Sequence, residues 1–175
     1  MHPWHDVRKE RITDSDFVAY IEVSKGNKTK YELDKESGLL ILDRVLFTST
    51  SYPQNYGFIP KTLARDGDPL DVLVLCSEAL IPGSFIQCKP VGVLTMIDNG
   101  KPDEKIIAVP FKDPFYSEFN DLNQLPNHVM DEIKHFFKVY KELENLPTQV
   151  EDFEDVNSAK SAIVDSLKRY SEKFE

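Results

Sequence analysis

The chain has 175 residues, 41% hydrophobic and 29% charged, which fits a single domain over 1–175 and excludes a disordered chain. Its formal net charge of −9 argues against nonspecific nucleic-acid binding, which needs a basic face. No apolar run reaches the roughly 18–20 residues of a membrane helix, and Met1 to Asp6 lacks the basic-then-apolar layout of a secretory signal, so the expected compartment is the cytoplasm.

From the N-terminus, Trp4 is expected to anchor its segment on the body, with His2 and His5 as packing or surface residues. Phe17 to Val23 is rich in strand formers, and alternation puts Glu22 with Val18 and Tyr20. Lys30 and Glu32 alternate against Tyr31 and Leu33, and a turn at Asp34–Gly38 leads into a third strand, Leu39–Asp43, followed by Arg44. Three early strands therefore each carry charged side chains beside apolar ones. Such groups either pair with one another on an exposed sheet face or line a wet site, because unpaired burial costs several kcal/mol each.

Further strands are expected at Val72–Cys76, Phe85–Met96 and Ile106–Val109, with turns at Pro82-Gly83 and over Asp98–Asp103. Cys76 and Cys88 lack metal-ligand spacing and read as reduced, partly buried thiols. The last third is helical. One helix is predicted from Leu125 to about Glu144, with Val129, Ile133, Phe136, Tyr140 and Leu143 as its stripe. A second runs from about Ser158 to Lys173, capped by Asn157, with the stripe Ala159, Ile163, Leu167, Tyr170 and Phe174. The fold class is mainly β with α, an antiparallel barrel or sandwich with two principal helices in the C-terminal third.

Asp66-Gly67-Asp68-Pro69-Leu70-Asp71 sets three carboxylates within six residues. Mutual repulsion disfavours such a cluster unless a cation compensates, and Mg²⁺ takes carboxylate oxygens well. A solvated turn is the plain alternative. The calcium-hand loop fails, because Leu70, Asp71 and Ser77 stand at its positions 5, 6 and 12. An aspartyl-phosphate site would have the apolar strand before the carboxylates, whereas here it follows. No P-loop is present. Asp98, Asp103 and Lys105 form a second acidic element that either completes a multi-metal site or stays in water.

These residues resemble the family I soluble inorganic pyrophosphatases. The resemblance rests on Asp66-Gly67-Asp68-Pro69-Leu70-Asp71-Val72, together with Lys30-Tyr31-Glu32, Asp43-Arg44 and Tyr52-Pro53-Gln54-Asn55-Tyr56-Gly57. Pro90-Val91-Gly92-Val93, the Asp98/Asp103/Lys105 element, His135-Phe136-Phe137 and Tyr140-Lys141 continue it, in order along nearly the whole chain. It implies an OB-like five-stranded β-barrel core with flanking helices. The compact length resembles the bacterial branch and implies a homohexamer. It implies hydrolysis of pyrophosphate to two phosphates with several Mg²⁺ ions per subunit, Mn²⁺ or Zn²⁺ being substitutes.

By position, the resemblance makes Asp66, Asp71, Asp98, Asp103 and Glu32 metal ligands, with Glu22 acting behind them through water. Lys30, Arg44, Tyr56, Lys105, Tyr140 and Lys141 become ligands of phosphoryl oxygens, and Asp68 the base facing the attacking water. Periodicity alone makes Tyr140 a helix-stripe residue and Lys141 its solvated neighbour. His128 and His135 are expected as packing or surface residues. The competing class is an OB-like anion or nucleic-acid binding module without catalysis.

Overall fold

The computed structural model describes residues 1–175. Eight strands and two helices follow in order: β1 (Phe17–Val23), β2 (Thr29–Leu33), β3 (Leu40–Val45), β4 (Asn55–Ile59), β5 (Leu70–Val74), β6 (Phe85–Asp98), β7 (Lys101–Pro110), α1 (Asn127–Val139), β8 (Thr148–Glu154) and α2 (Val156–Phe174).

Pairing runs β1-β4-β5-β7-β6-β8, and an extra β1–β6 pairing closes the first five into a ring. This is the expected five-stranded, OB-like barrel. The ring is not wholly antiparallel, because β5 and β7 run parallel, with Asp71 beside Lys105 in register. The ribbon β2–β3 stands apart as its own two-stranded sheet, so two of the three charge-bearing early strands lie outside the ring.

Val72–Val74 of β5 and Ile106–Val109 of β7 are unbroken apolar runs because both faces of the sheet are covered there. Val72, Val74, Ile106 and Ala108 pack in one cluster with Ala159 and Ile163 of α2. Leu73, Ile107 and Val109 pack in another with Ile133, Phe136 and Phe137 of α1. Each such Leu, Ile or Phe, fully buried, contributes about 1.5–3 kcal/mol before entropy is set against it.

Two strands depart from expectation by being present at all. β4 carries Asn55 and Gly57, which are poor strand signals. Gly57 sits there because a Cβ would meet the Tyr20 carbonyl oxygen at 1.8 Å. β8 is a polar edge strand paired to β6, with mostly exposed side chains and no period-2 apolar pattern to reveal it.

The turn expected over Asp98–Asp103 shrinks to Asn99-Gly100, both at positive φ (51° and 79°), the pattern of a two-residue hairpin. Asp98 therefore ends β6, and Asp103 and Lys105 share one face of β7. Likewise β5 starts at Leu70, earlier than expected, which places Asp71 on a strand.

α1 stops at Val139, and Tyr140 caps it. A 3₁₀ turn at Glu142–Glu144 and left-handed Asn145 (φ 56°) end the helical path. Leu143 leaves the predicted stripe and is 72% exposed. The α2 cap is Asp155 rather than Asn157, its carboxylate accepting from the Ser158 N–H at 3.0 Å. Phe174, at the end of the second stripe, is also exposed, while Ala159, Ile163 and Tyr170 are buried. Both cysteines are free and buried, and Trp4 is buried. His128 and His135 lie on the exposed side of α1. No helix is long and apolar enough to cross a membrane.

Candidate active site

One cavity of about 610 Å³ opens where β1, β2, β4, β5, β6, β7 and the end of α1 converge. It gathers Glu22, Lys30, Glu32, Tyr56, Asp66, Asp68, Asp71, Asp98, Asp103, Lys105, Tyr140 and Lys141. Every residue expected at the site lines it except Arg44. Lys35 and Tyr52, which carried no expected role, line it as well.

Lys105 is the centre of charge. Its parallel register beside Asp71, and its place two residues after Asp103, put its ammonium 2.9 Å from Asp71 Oδ2 and 3.2 Å from Asp103 Oδ2. It also donates to the Tyr56 hydroxyl at 3.1 Å and lies over the Tyr56 and Phe137 rings. Burial works against its charge, but Asp103 and Asp71 outweigh burial and hold it protonated well above the usual lysine range. Burial raises Asp103 to about 7, with Lys105 opposing the rise and Asp71 and Asp66 adding to it. Asp66 is raised too, by desolvation first and then by Asp68 and Asp71, although it accepts the Asp68 N–H at 2.9 Å.

The other charges are paired in the same manner. Lys141 donates to Asp98 Oδ2 at 2.6 Å, and Tyr140 donates to the same oxygen at 3.4 Å. The early end of α1 makes this possible, since Tyr140 caps the helix and Lys141 leaves it. Lys30 reaches Glu32 at 3.4 Å and Asp43 at 3.3 Å. Lys35 pairs with Asp68. Glu22 is buried, accepts the Leu33 N–H at 2.7 Å, and is raised to about 8 by burial and then by Asp71. Burial places Tyr56 and Tyr140 well above the usual phenol range. Both stay neutral donors at any working pH.

Arg44 stands opposite Lys30 in the ribbon but does not line the cavity, its guanidinium being held by Glu144 and Asp43. Its Nε lies 2.7 Å from Oε1 of Glu144 and its Nη2 donates to Oε2 at 3.2 Å, while Nη1 pairs with Asp43. Glu144 gave no sequence signal, because a carboxylate just past a helix is commonplace.

The donor set suits a hard divalent cation, being all carboxylate oxygen with no sulfur and no imidazole. Two buried side-chain oxygens, Gln54 Oε1 and Asp98 Oδ1, have no hydrogen-bond partner, and of the two only Asp98 lines the cavity, where its free oxygen suits a cation. No three carboxylates converge on a single point at ligating distance. Ammonium groups stand among them instead.

The pattern described for the family "Inorganic pyrophosphatase" matches residues 19–171. Soluble inorganic pyrophosphatase 2 of Chlamydomonas reinhardtii is 48% identical over 173 residues, covering 99% of this chain and 90% of that one. A soluble inorganic pyrophosphatase of Solanum tuberosum is 50% identical over 171 residues, covering 98% and 81%. Among solved structures, the inorganic pyrophosphatase of Helicobacter pylori superposes with a TM-score of 0.90 at 44% identity, over 95% of this chain and 99% of that one. That of Thermus thermophilus gives 0.87 at 39%, over 90% and 92%. With the five-stranded ring, the acidic run at its mouth and these likenesses over almost the whole chain, this protein belongs to the inorganic pyrophosphatase family.

Proposed function

We propose that the cavity hydrolyses inorganic pyrophosphate to two phosphates, with divalent cations held by Asp66, Asp71, Asp98, Asp103 and Glu32. The observation that carries this reading is the matched pairing of carboxylates with ammonium groups around one cavity: Asp71 and Asp103 with Lys105, Asp98 with Lys141, Glu32 with Lys30. A complex of divalent cations with a polyanion can replace these pairs by exchange. The cations take the carboxylates, and the phosphoryl oxygens take the ammonium groups. Neither set of charges is then left unpaired in a partly dry site.

When bound, the cations would lower the pKa of a coordinated water toward about 7 and screen the substrate's charge. Asp68, exposed at the mouth beside Asp66, orients that water and accepts its proton. Lys30, Lys105 and Lys141 stabilise negative charge on the phosphoryl oxygens and the departing phosphate, and Tyr56 and Tyr140 donate hydroxyl hydrogen bonds. Arg44 exchanges part of its pairing with Glu144 and Asp43 for a phosphoryl oxygen. Glu22, fixed by the Leu33 N–H, supports the cations through water.

Mg²⁺ is the cation of this reading, with Mn²⁺ and Zn²⁺ able to substitute, and the assembly is a cytoplasmic homohexamer. Purified protein is expected to release phosphate from pyrophosphate with Mg²⁺ and to stop when a chelator is added. No release with Mg²⁺, Mn²⁺ or Zn²⁺ would refute it. Size-exclusion chromatography with light scattering tests the hexamer, and a monomer at micromolar concentration would count against it.

A further inference from the structure

Asp68 carries the water-handling role in the reading above, yet little holds it. Its side chain is 55% exposed. Its N–H and carbonyl serve the loop itself, the N–H bonding Asp66 and the carbonyl accepting from the Ala64 N–H at 2.7 Å. Its carboxylate has one ion-pair partner, the Lys35 ammonium. An exposed carboxylate on a loop is free to change rotamer, and a displacement of about 1 Å at a reacting group can cost a hundredfold in rate.

The Lys35 side chain is 52% exposed, but its backbone is firmly held. It sits in the turn between β2 and β3, where the Asp34 N–H bonds the Leu39 carbonyl at 2.8 Å and the Gly38 N–H bonds the Asp34 carbonyl at 2.8 Å. The Ser37 hydroxyl closes the turn on Asp34 Oδ2 at 2.5 Å. From outside, the His2 ring nitrogen Nε2 lies 2.9 Å from the Lys35 carbonyl oxygen, and the His2 ring packs where a Cβ on Gly38 would stand, 3.0 Å away. The Lys35 ammonium also lies 5.9 Å from the centre of the Trp4 ring.

Trp4 in turn grips the segment leading to the acidic run. Its indole N–H donates to the Thr62 carbonyl at 2.8 Å, and its own carbonyl accepts the Lys61 N–H at 3.0 Å. The segment His2–Trp4 thus touches both halves of the Lys35–Asp68 pair: the turn that carries the cation, and the chain just before the loop that carries the carboxylate. It spans two pieces that no strand pairing joins, since β2–β3 is separate from the ring.

We propose that Lys35 is a positioning residue that holds the Asp68 carboxylate toward the cavity, and that His2 and Trp4 brace it for that task. This rests on the reading of Asp68 as the group that handles the attacking water. Lys35 need not touch pyrophosphate for it. An exposed ion pair adds little to stability, so its removal leaves the fold intact and lowers the share of molecules with Asp68 in place.

The test compares Lys35→Ala, Lys35→Arg and His2→Ala in the full-length protein, with Mg²⁺ and pyrophosphate, reading kcat, KM and the melting temperature. Lys35→Ala is expected to lower kcat about five-fold, the scale of one lost exposed ion pair, with KM within about two-fold and melting nearly unchanged. Lys35→Arg restores kcat, and His2→Ala lowers it by about two-fold. In an Asp68→Asn background, Lys35→Ala should cause no further loss of the residual kcat. A rise in KM at constant kcat would make Lys35 a substrate ligand and overturn the proposal. So would an undiminished five-fold loss in the Asp68→Asn background, or no loss of kcat in Lys35→Ala. An unchanged kcat in His2→Ala would remove the brace. Wild-type turnover by Asp68→Asn itself would end the underlying reading of Asp68, a result separate from the others.

Discussion

Arg44 and Glu144 lie 100 residues apart in sequence and meet through two contacts, Nε to Oε1 at 2.7 Å and Nη2 to Oε2 at 3.2 Å. The pair fastens the β2–β3 ribbon to the turn that follows Lys141. Their side chains are only 19% and 10% exposed, so the contact is shielded enough to fix geometry. Arg44 is also clamped by Asp43, and its pKa is raised: Glu144 and Asp43 more than offset its partial burial. Glu144 is therefore expected to aim Arg44 for substrate. Glu144→Ala should lower kcat/KM about ten-fold, the scale of a charge-assisted hydrogen bond. Arg44→Lys should lower it likewise, because an ammonium does not replace the planar guanidinium. Steady-state kinetics decide, and an unchanged kcat/KM in Glu144→Ala would leave the pair as a staple only.

Lys105 is 2% exposed and holds two carboxylates. Lys105→Met would leave Asp71 and Asp103 side by side without a counter-charge. The metal-free variant is expected to lose about 3 kcal/mol of stability. Saturating Mg²⁺ should return much of it, because the cation replaces the lost ammonium. Urea unfolding with and without Mg²⁺ checks both halves. Equal destabilisation in the two conditions would mean that Mg²⁺ does not take over the charge that Lys105 supplies to Asp71 and Asp103.

Glu22 gives a pH signature. Its folded pKa is raised to about 8 by burial and then by Asp71, whereas the unfolded chain titrates near 4.5. Between these values the unfolded state has released a proton that the folded state keeps. The metal-free protein therefore loses stability as pH rises from about 4.5 to about 8. Glu22→Gln removes this dependence. Its melting temperature relative to the wild type should rise steadily across that window, measured in chelator. A constant difference would show that Glu22 is ionised in the folded protein throughout.

Much of this architecture is legible in the sequence, because its signals are local. β1, rich in strand formers, fell where expected, and the turn signal at Pro82-Gly83 preceded β6. Two stripes at helical spacing gave α1 and α2. What stayed hidden depends on distant partners. β4 is a strand because Gly57 lets the backbone approach Tyr20, and β8 because β6 offers it an edge. The parallel register of β5 and β7, which sets Lys105 beside Asp71, is a property of topology that neither strand carries alone.

The site divides in the same way. The acidic run, Asp98, Asp103 and the ionic residues of the early strands stood out because charge among apolar neighbours demands compensation. By periodicity Tyr140 and Lys141 are a stripe residue and its solvated neighbour; only the resemblance marks them, and the early end of α1 turns both onto Asp98. Lys35 and Glu144 were silent, since a lysine in a turn and a glutamate past a helix are ordinary surface residues.

The central claim is that Asp68 handles the proton of an attacking water while Asp66, Asp71, Asp98, Asp103 and Glu32 hold the cations. Its most direct test measures phosphate release from pyrophosphate by wild type and Asp68→Asn, with Mg²⁺ binding followed on both by calorimetry. The account predicts rapid release by the wild type, at least a hundred-fold lower kcat in Asp68→Asn, the scale of a general base, and Mg²⁺ affinity within about two-fold between them. Release by Asp68→Asn at the wild-type rate would contradict it.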